Sequence, residues 1–162
     1  MIRKATVVDV DLVVSSRLDF LRAVRSTEIL DGEAELAAKT RSFVRSEFEA
    51  GRLHTWIAEQ AGEFLGIVSL MLWSRPPRPE DLRVADGYVI NMYVRPDRQR
   101  QGIGGLLLAE CLQNGRELGV ARFVLHSTDE GRHLYESTGF RPTQNWMTLA
   151  TLAAEQPTAV TE

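Results

Sequence analysis

The stretch RPDRQRQGIGG, Arg95 to Gly105, places three arginines ahead of three glycines that fall within four residues, and the apolar run Leu106-Leu107-Leu108 follows at once. Residues of these types in this order suit an anion. A helix that begins at the glycines offers unpaired backbone N–H groups and about half a positive charge at its N-terminus. Glycine lets that backbone turn with positive φ and come close to a bound group. Arg95, Arg98 and Arg100 add point charges that draw in a polyphosphate. The same residues also suit a tight strand-to-helix turn with solvated arginines, because a glycine motif alone is a weak signal.

Two common phosphate-binding patterns fail on residues. A Walker A loop needs Gly-Lys-Ser/Thr, and here Gly104-Gly105-Leu106 stands instead. The dinucleotide fingerprint needs glycine or alanine where Leu107 stands. Other chemistry is also narrowed. The single cysteine, Cys111, excludes an intrachain disulfide and fits a reducing, cytoplasmic setting. His54, His126 and His133 have no zinc-type spacing to one another or to Cys111, so no metal is expected. A net charge of −3 argues against a dedicated nucleic-acid binder. Trp56, Trp73 and Trp146 read as packing or pocket-wall residues, since no basic strip surrounds them. The N-terminal MIRKATVVDVD lacks the apolar core of a signal peptide, and no apolar stretch approaches the ~20 residues of a membrane span.

The elements that must position the glycine-rich stretch can be read from periodicity. Ile2–Val7 reads as a strand, after which Asp9 or Asp11 caps a helix over Asp11–Arg25. Glu33–Ala50 is a second helix, with Leu36, Phe43, Val44 and Phe48 pointing inward and Gly51 at its end. Leu53–Glu59 and Phe64–Trp73 form a hairpin about a turn at Gln60–Glu63. Ser74–Arg83, with three prolines, is a surface loop, either a plain connection or a lid. Gly87–Val94, GYVINMYV, is a strand buried on both faces and stopped by Pro96. A helix runs from Gly102 to Glu117. Arg122–His126 is a strand, Glu130–Ser137 a short helix, and Asn145–Leu149 a last strand. The order β-α-α-β-β-β-α-β-α-β is that of an α/β protein, a mixed α+β sheet with helices on its faces. The 162 residues suit one domain, residues 1–152, with a disordered tail at 153–162.

A third phosphate-binding pattern does fit. Gln99-Arg100-Gln101-Gly102-Ile103-Gly104 matches Q/R-x-x-G-x-G/A, and resembles the acetyl-CoA loop of the GNAT superfamily of N-acetyltransferases. NMYVRPDRQRQGIGGLLL resembles that family's central strand, loop and helix. GRHLYESTGF, Gly131 to Phe140, resembles its later helix with a tyrosine and a following Gly-Phe. The resemblance implies a GNAT-like fold whose central sheet splays at strand 4, and acetyl-CoA as co-substrate without a metal. It implies that the backbone of Met92, Tyr93 and Val94 bonds the pantetheine arm, with an N–H near Met92 polarising the thioester carbonyl. It places the pyrophosphate on the N–H groups of Gln101, Gly102, Ile103, Gly104 and Gly105, with Gln99 or Arg100 alongside. It makes Tyr135 the acid that protonates the leaving thiolate, a role such groups fill with ~10²–10⁴-fold effect. Thr128 stands where many relatives carry an asparagine that contacts pantetheine, and threonine suits that contact or a helix cap.

The acceptor amine must lose a proton before it attacks, since a lysine-like amine has a pKa near ~10.4. Some relatives carry a glutamate on the central strand where this chain has Tyr88. Asp86, His126 and Glu28 are the remaining candidates, with Asp86 and Glu28 read as solvated charges and His126 as a group that satisfies local backbone. The resemblance therefore implies direct transfer of acetyl from acetyl-CoA to a primary amine of a small or amino-acid-like molecule. A protein N-terminus or lysine, and a non-catalytic acyl-CoA sensor, are the alternatives. Expected partners are the small-molecule amine and, as in many relatives, a second copy in a homodimer, with neither nucleic acid nor membrane.

Overall fold

The computed structural model describes residues 1–25 and 32–143. The strand expected at Asn145–Leu149, the tail from residue 153, Glu28 and Trp146 lie outside them. The elements are β1 (Ile2–Lys4), α1 (Val10–Arg25), α2 (Glu33–Glu49), β2 (Leu53–Gln60), β3 (Glu63–Ser74), β4 (Ala85–Val94), α3 (Ile103–Glu117), β5 (Val120–Val124) and α4 (Asp129–Ser137). The strands form one sheet in the order β1-β2-β3-β4-β5. Neighbours are antiparallel except for the parallel pair β4–β5. This is the mixed sheet that the element order predicts.

β1 ends three residues earlier than the alternation suggests, and the cause is a carboxylate. Thr6 donates its backbone N–H and its hydroxyl to Asp9 Oδ2, at 2.8 and 3.2 Å. Arg3 grips the same carboxylate through both terminal nitrogens, at 2.9 and 2.7 Å, and holds it below the usual carboxylate range. The chain therefore leaves the strand for a 3-10 turn at Val7–Asp9 that runs into α1. The β2–β3 hairpin falls where expected. Gln60 pairs with Glu63 across Ala61 and Gly62, both with positive φ (50° and 79°), the backbone of a type I′ turn.

Two apolar clusters sandwich the sheet. On one face Val10, Val13, Val14 and Leu18 of α1 and Val44 of α2 pack on Leu53, Ile57 and Ile67. On the other, Leu107, Leu108, Cys111 and Leu112 of α3 pack on Trp56, Val68, Leu70, Val89 and Val120. Full burial of a leucine contributes about 1.5–3 kcal/mol, so α3 is anchored by this inner stripe while Leu106 points outward. β2 is covered on both faces, which is why it shows no polar alternation. Phe43 does not point inward as the helical pattern suggests. It is 47 % exposed, because α2 meets the core mainly through Val44.

His54 is buried in this frame. A ring nitrogen, Nε2, lies 3.1 Å from the Gly51 carbonyl, and Nδ1 is sealed without a partner. Burial, helped by the Lys4 charge, holds the imidazole below its ordinary pKa. The folded state thus keeps His54 neutral, whereas the unfolded chain binds a proton below pH ~6.5. Stability from this group is complete above that pH and is lost as pH falls below it. The melting temperature of the protein should accordingly fall more steeply between pH 7 and pH 5 than that of His54→Gln, by thermal denaturation across buffers. Parallel slopes would show that His54 protonates freely in the folded state.

The proline-containing loop is not a lid over the cavities described below. Arg75 pairs with Asp86 (2.9 Å) and Asp81 (2.8 Å), and Arg83 bonds Asp81 (2.8 Å) and the Val120 carbonyl (3.2 Å). The loop is stapled to the start of β4 and β5, and none of its residues lines either cavity.

Candidate active site

β4 and β5 pair only from Ala85↔Val120 to Tyr88↔Val124. β5 then stops, two residues before His126, so His126 lies beyond the strand rather than at its end. From Val89 to Val94 the β5-facing edge of β4 has no strand partner among the described residues. Within the same segment the register to β3 slips. Ile67 faces Tyr93 while Ser69 faces Ile90, so Asn91 and Met92 together oppose Val68. This is a β-bulge, with Asn91 at φ 51°. The sheet opens into a fork whose one prong is irregular, hydrogen-bond-competent backbone.

The glycine-rich stretch closes the far end of that fork. Arg100 (φ 61°) and Gly102 (φ 82°) adopt left-handed backbone, and the first helical bond of α3 runs from Leu106 N to Gly102 O. The backbone N–H groups of Gln101, Gly102, Ile103, Gly104 and Gly105 donate to no backbone carbonyl among the described residues. Five N–H groups around a helix start form an anion cradle. A side-chain carbon at Gly102 or Gly105 would meet nothing within 4 Å, and one at Gly104 only Leu134 and Val94 side chains, at 3.4 and 3.8 Å. No backbone clash demands glycine at Gly104. A side chain there would instead point into the space between β4 and α4.

The three arginines separate. Arg95 bonds Glu63 (2.6 Å) and Asp97 (2.9 Å), and Arg98 bonds Glu63 (2.8 Å), which holds the Glu63 carboxyl below its usual range. These two staple the loop to the start of β3 and are not available as the point charges expected from sequence. Arg100 makes no ion pair among the described residues. Gln99 and Gln101 turn their amides onto the carbonyls of Val94 (3.1 Å) and Asp97 (3.4 Å), bracing the loop from within.

Two cavities meet at the fork. The larger, ≈ 630 Å³, lies between α1, α2 and β4. Its walls include Phe20, Leu21, Val24, Leu36 and Phe43, with Arg17 and Lys39 as its cations. The smaller, ≈ 110 Å³, is lined by Met92, Thr128, Gly131, Leu134 and Tyr135. Phe20, Val89, Ile90, Asn91 and His126 line both. Met92, Thr128 and Tyr135 thus line one and the same cavity. The Tyr93 side chain packs with the α1 face of the sheet and Val94 with the α3 face. Thr128 caps α4, accepting from Gly131 N at 3.2 Å. The Tyr135 ring is buried edge-on against Phe140 (5.9 Å), and burial pushes its hydroxyl up to about 12. Cys111 is fully buried with its thiol also raised to about 12, which leaves it inert as a nucleophile.

The base candidates divide sharply. Asp86 is not a solvated charge. It is 1 % exposed, and its carboxylate is taken by Arg75 (2.9 Å) and Arg122 (2.7 Å). It lines neither cavity, which removes it as a base. Tyr88 and His126 touch: Oη lies 2.8 Å from Nδ1, with the rings edge to face. Asn91 and Phe20 escaped notice in the sequence. Asn91 carried a signal, since asparagine is depleted in strands and tolerates positive φ. No group of three or more metal-ligating side chains occurs among the described residues, and no helix among them is long and apolar enough to cross a membrane.

Comparison with known proteins agrees with this geometry. The family model for the acetyltransferase (GNAT) domain matches residues 51–142, more than half the chain. The chain belongs to the GNAT acetyltransferases and by that membership is an acyltransferase; acetyl-CoA is the co-substrate that enzymes of this family use in general. Among solved structures it is similar to a predicted acetyltransferase from Clostridium acetobutylicum solved with acetyl-CoA, at 25% identity, TM-score 0.82, and 93% and 95% coverage of the two chains. It is also similar to a GCN5-related N-acetyltransferase from Ralstonia eutropha, at 28% identity, TM-score 0.81, and 93% and 97% coverage. Glucosamine-6-phosphate N-acetyltransferase from Arabidopsis thaliana shares the fold alone, at 16% identity, TM-score 0.63, and 93% and 97% coverage. A search of the curated proteins returns no significant match.

Proposed function

We propose that this protein transfers the acetyl group of acetyl-CoA to the primary amine of a small molecule with an apolar body. The observation that carries the reading is the junction of the two cavities. The smaller is lined by Tyr135 and by Met92 of the bulge, and shares Asn91 and His126 as wall residues with the larger. A volume of ≈ 630 Å³ lies within the ~300–1,000 Å³ range typical of small-molecule sites, which supports a small acceptor over a protein lysine. In this reading the five open N–H groups at Gln101–Gly105 hold the pyrophosphate, with Arg100 beside them. The unpaired edge of β4 receives the pantetheine arm. Tyr135, kept neutral by burial, gives its proton to the sulfur as the C–S bond breaks.

Calorimetric titration of acetyl-CoA tests the first half. The parent protein should bind in the micromolar range, and Gly104→Trp, whose indole would fill the space between Val94 and Leu134, should abolish binding while circular dichroism and melting stay near the parent. Undiminished affinity in Gly104→Trp would place the coenzyme elsewhere. Release of free thiol with a panel of primary amines tests the second half.

A further inference from the structure

The amide of Asn91 has a fixed orientation, and this gives the fork a polar feature its apolar walls conceal. Ser16 Oγ donates its hydrogen to the Val13 carbonyl at 2.9 Å, so it can only accept from Asn91, and the Asn91 atom 3.4 Å away is the NH₂ group. Oδ1 then has no donor. It is sealed from bulk solvent within the protein fold, in a residue that is 6 % exposed and lines both cavities. A buried carbonyl without a partner costs about 1–3 kcal/mol, which a bound N–H donor would offset. His126 lines the same junction with Nδ1 against the Tyr88 hydroxyl, and its Nε2 has no hydrogen-bond partner among the described residues.

The ionisable groups around the junction are Arg17 of α1, Lys39 of α2, Tyr88 of β4, Tyr135 of α4 and His126; no carboxylate lines either cavity among the described residues. Of these, only a neutral imidazole presents a ring-nitrogen lone pair as an acceptor, since Lys and Arg side chains are donors alone and the two tyrosines act through a hydroxyl. Resting on the acetyltransferase reading, we infer that Asn91 Oδ1 docks the acceptor ammonium and that His126 Nε2 is the base that deprotonates it. Tyr88 positions His126: its oxygen accepts from Nδ1–H and so leaves the Nε2 lone pair open. One ammonium proton passes to Nε2 and then to solvent. The freed nitrogen lone pair forms the C–N bond at the thioester carbon, and the C–S bond breaks. The proton that nitrogen sheds as the amide forms balances the one Tyr135 gives to sulfur.

The tautomer is read directly by long-range ¹H–¹⁵N correlation of the imidazoles in the full-length protein. His126 should carry its proton on Nδ1, and Tyr88→Phe should lose that preference. An Nε2–H tautomer in the parent overturns the inference, because the open nitrogen would then have no lone pair to offer. Kinetics use acetyl-CoA with a panel of primary amines that includes 2-phenylethylamine. His126→Gln should lower kcat/KM by about 10²–10⁴-fold at neutral pH, with the deficit shrinking as pH rises toward the amine's own pKa. Asn91→Gly, which keeps the positive φ, should raise the amine KM about tenfold or more with acetyl-CoA affinity unchanged. Turnover in the parent that His126→Gln matches in rate and pH profile overturns this inference alone. Absence of turnover with every amine overturns the acetyltransferase reading and this inference with it.

Discussion

Tyr135→Phe is expected to lower kcat by about 10²–10⁴-fold while acetyl-CoA binds with unchanged affinity. The substitution removes one oxygen and little else. The ring stays buried against Phe140, and Thr138 and Phe140 still bond the Tyr135 carbonyl through backbone, at 3.1 Å each. What is lost is a hydroxyl that lines the smaller cavity with Met92 and Thr128. Its pKa of about 12 decides how it acts. A phenol raised by burial is protonated at every working pH, so it can donate to a departing thiolate and cannot serve as the base that opens the reaction. Activity should therefore show no alkaline limb from this group below about pH 11. The comparison is steady-state kinetics with calorimetry. An unchanged kcat would assign the proton to water, and a matching loss of coenzyme affinity would make Tyr135 a binding residue.

Local requirements were legible in the sequence, and long-range partnerships were not. The loop at Gln99–Gly105 could be read because its demands are met within a few residues: positive φ at Gly102 and a helix start at Ile103. The Tyr135 helix could be read for the same reason, with Thr128 as its cap. The expected arginine charge failed because Glu63, on another strand, neutralises Arg95 and Arg98. Phe43 was misplaced because the wall it forms exists only once α1 and α2 stand over β4. The Tyr88–His126 contact joins residues 38 apart in sequence, and no periodicity reports it. The bulge at Asn91 is intermediate, since an asparagine inside GYVINMYV marks irregularity without saying which way the chain bends.

Asp86→Asn should destabilise the protein by about 3 kcal/mol without removing acetyl-CoA binding from the folded fraction. Asp86 sits on β4 and takes bonds from Arg75 Nε at 2.9 Å and from Arg122, on β5, at 2.7 and 3.2 Å. Removing the negative charge leaves Arg75, whose side chain is 10 % exposed, with Asp81 as its one counter-charge among the described residues. Losing one partner of a buried pair costs ~3–5 kcal/mol, and the lower end applies because Arg122, 45 % exposed, can turn to water. For a chain of this length that corresponds to a fall in melting temperature of roughly 6–12 °C. The pair bolts β4 to β5 within the only stretch where they are hydrogen-bonded, Ala85 to Tyr88. Asp86 therefore fixes where the fork begins, and everything the site does depends on β4 leaving β5 at that point. A base would behave oppositely: Asp86→Asn would then abolish turnover and leave melting unchanged. Scanning calorimetry of the variant together with its residual thiol release separates the two, and a double replacement of Arg75 and Asp86 by apolar residues of similar volume should recover part of the lost stability, as expected when the penalty comes from an unpaired buried charge.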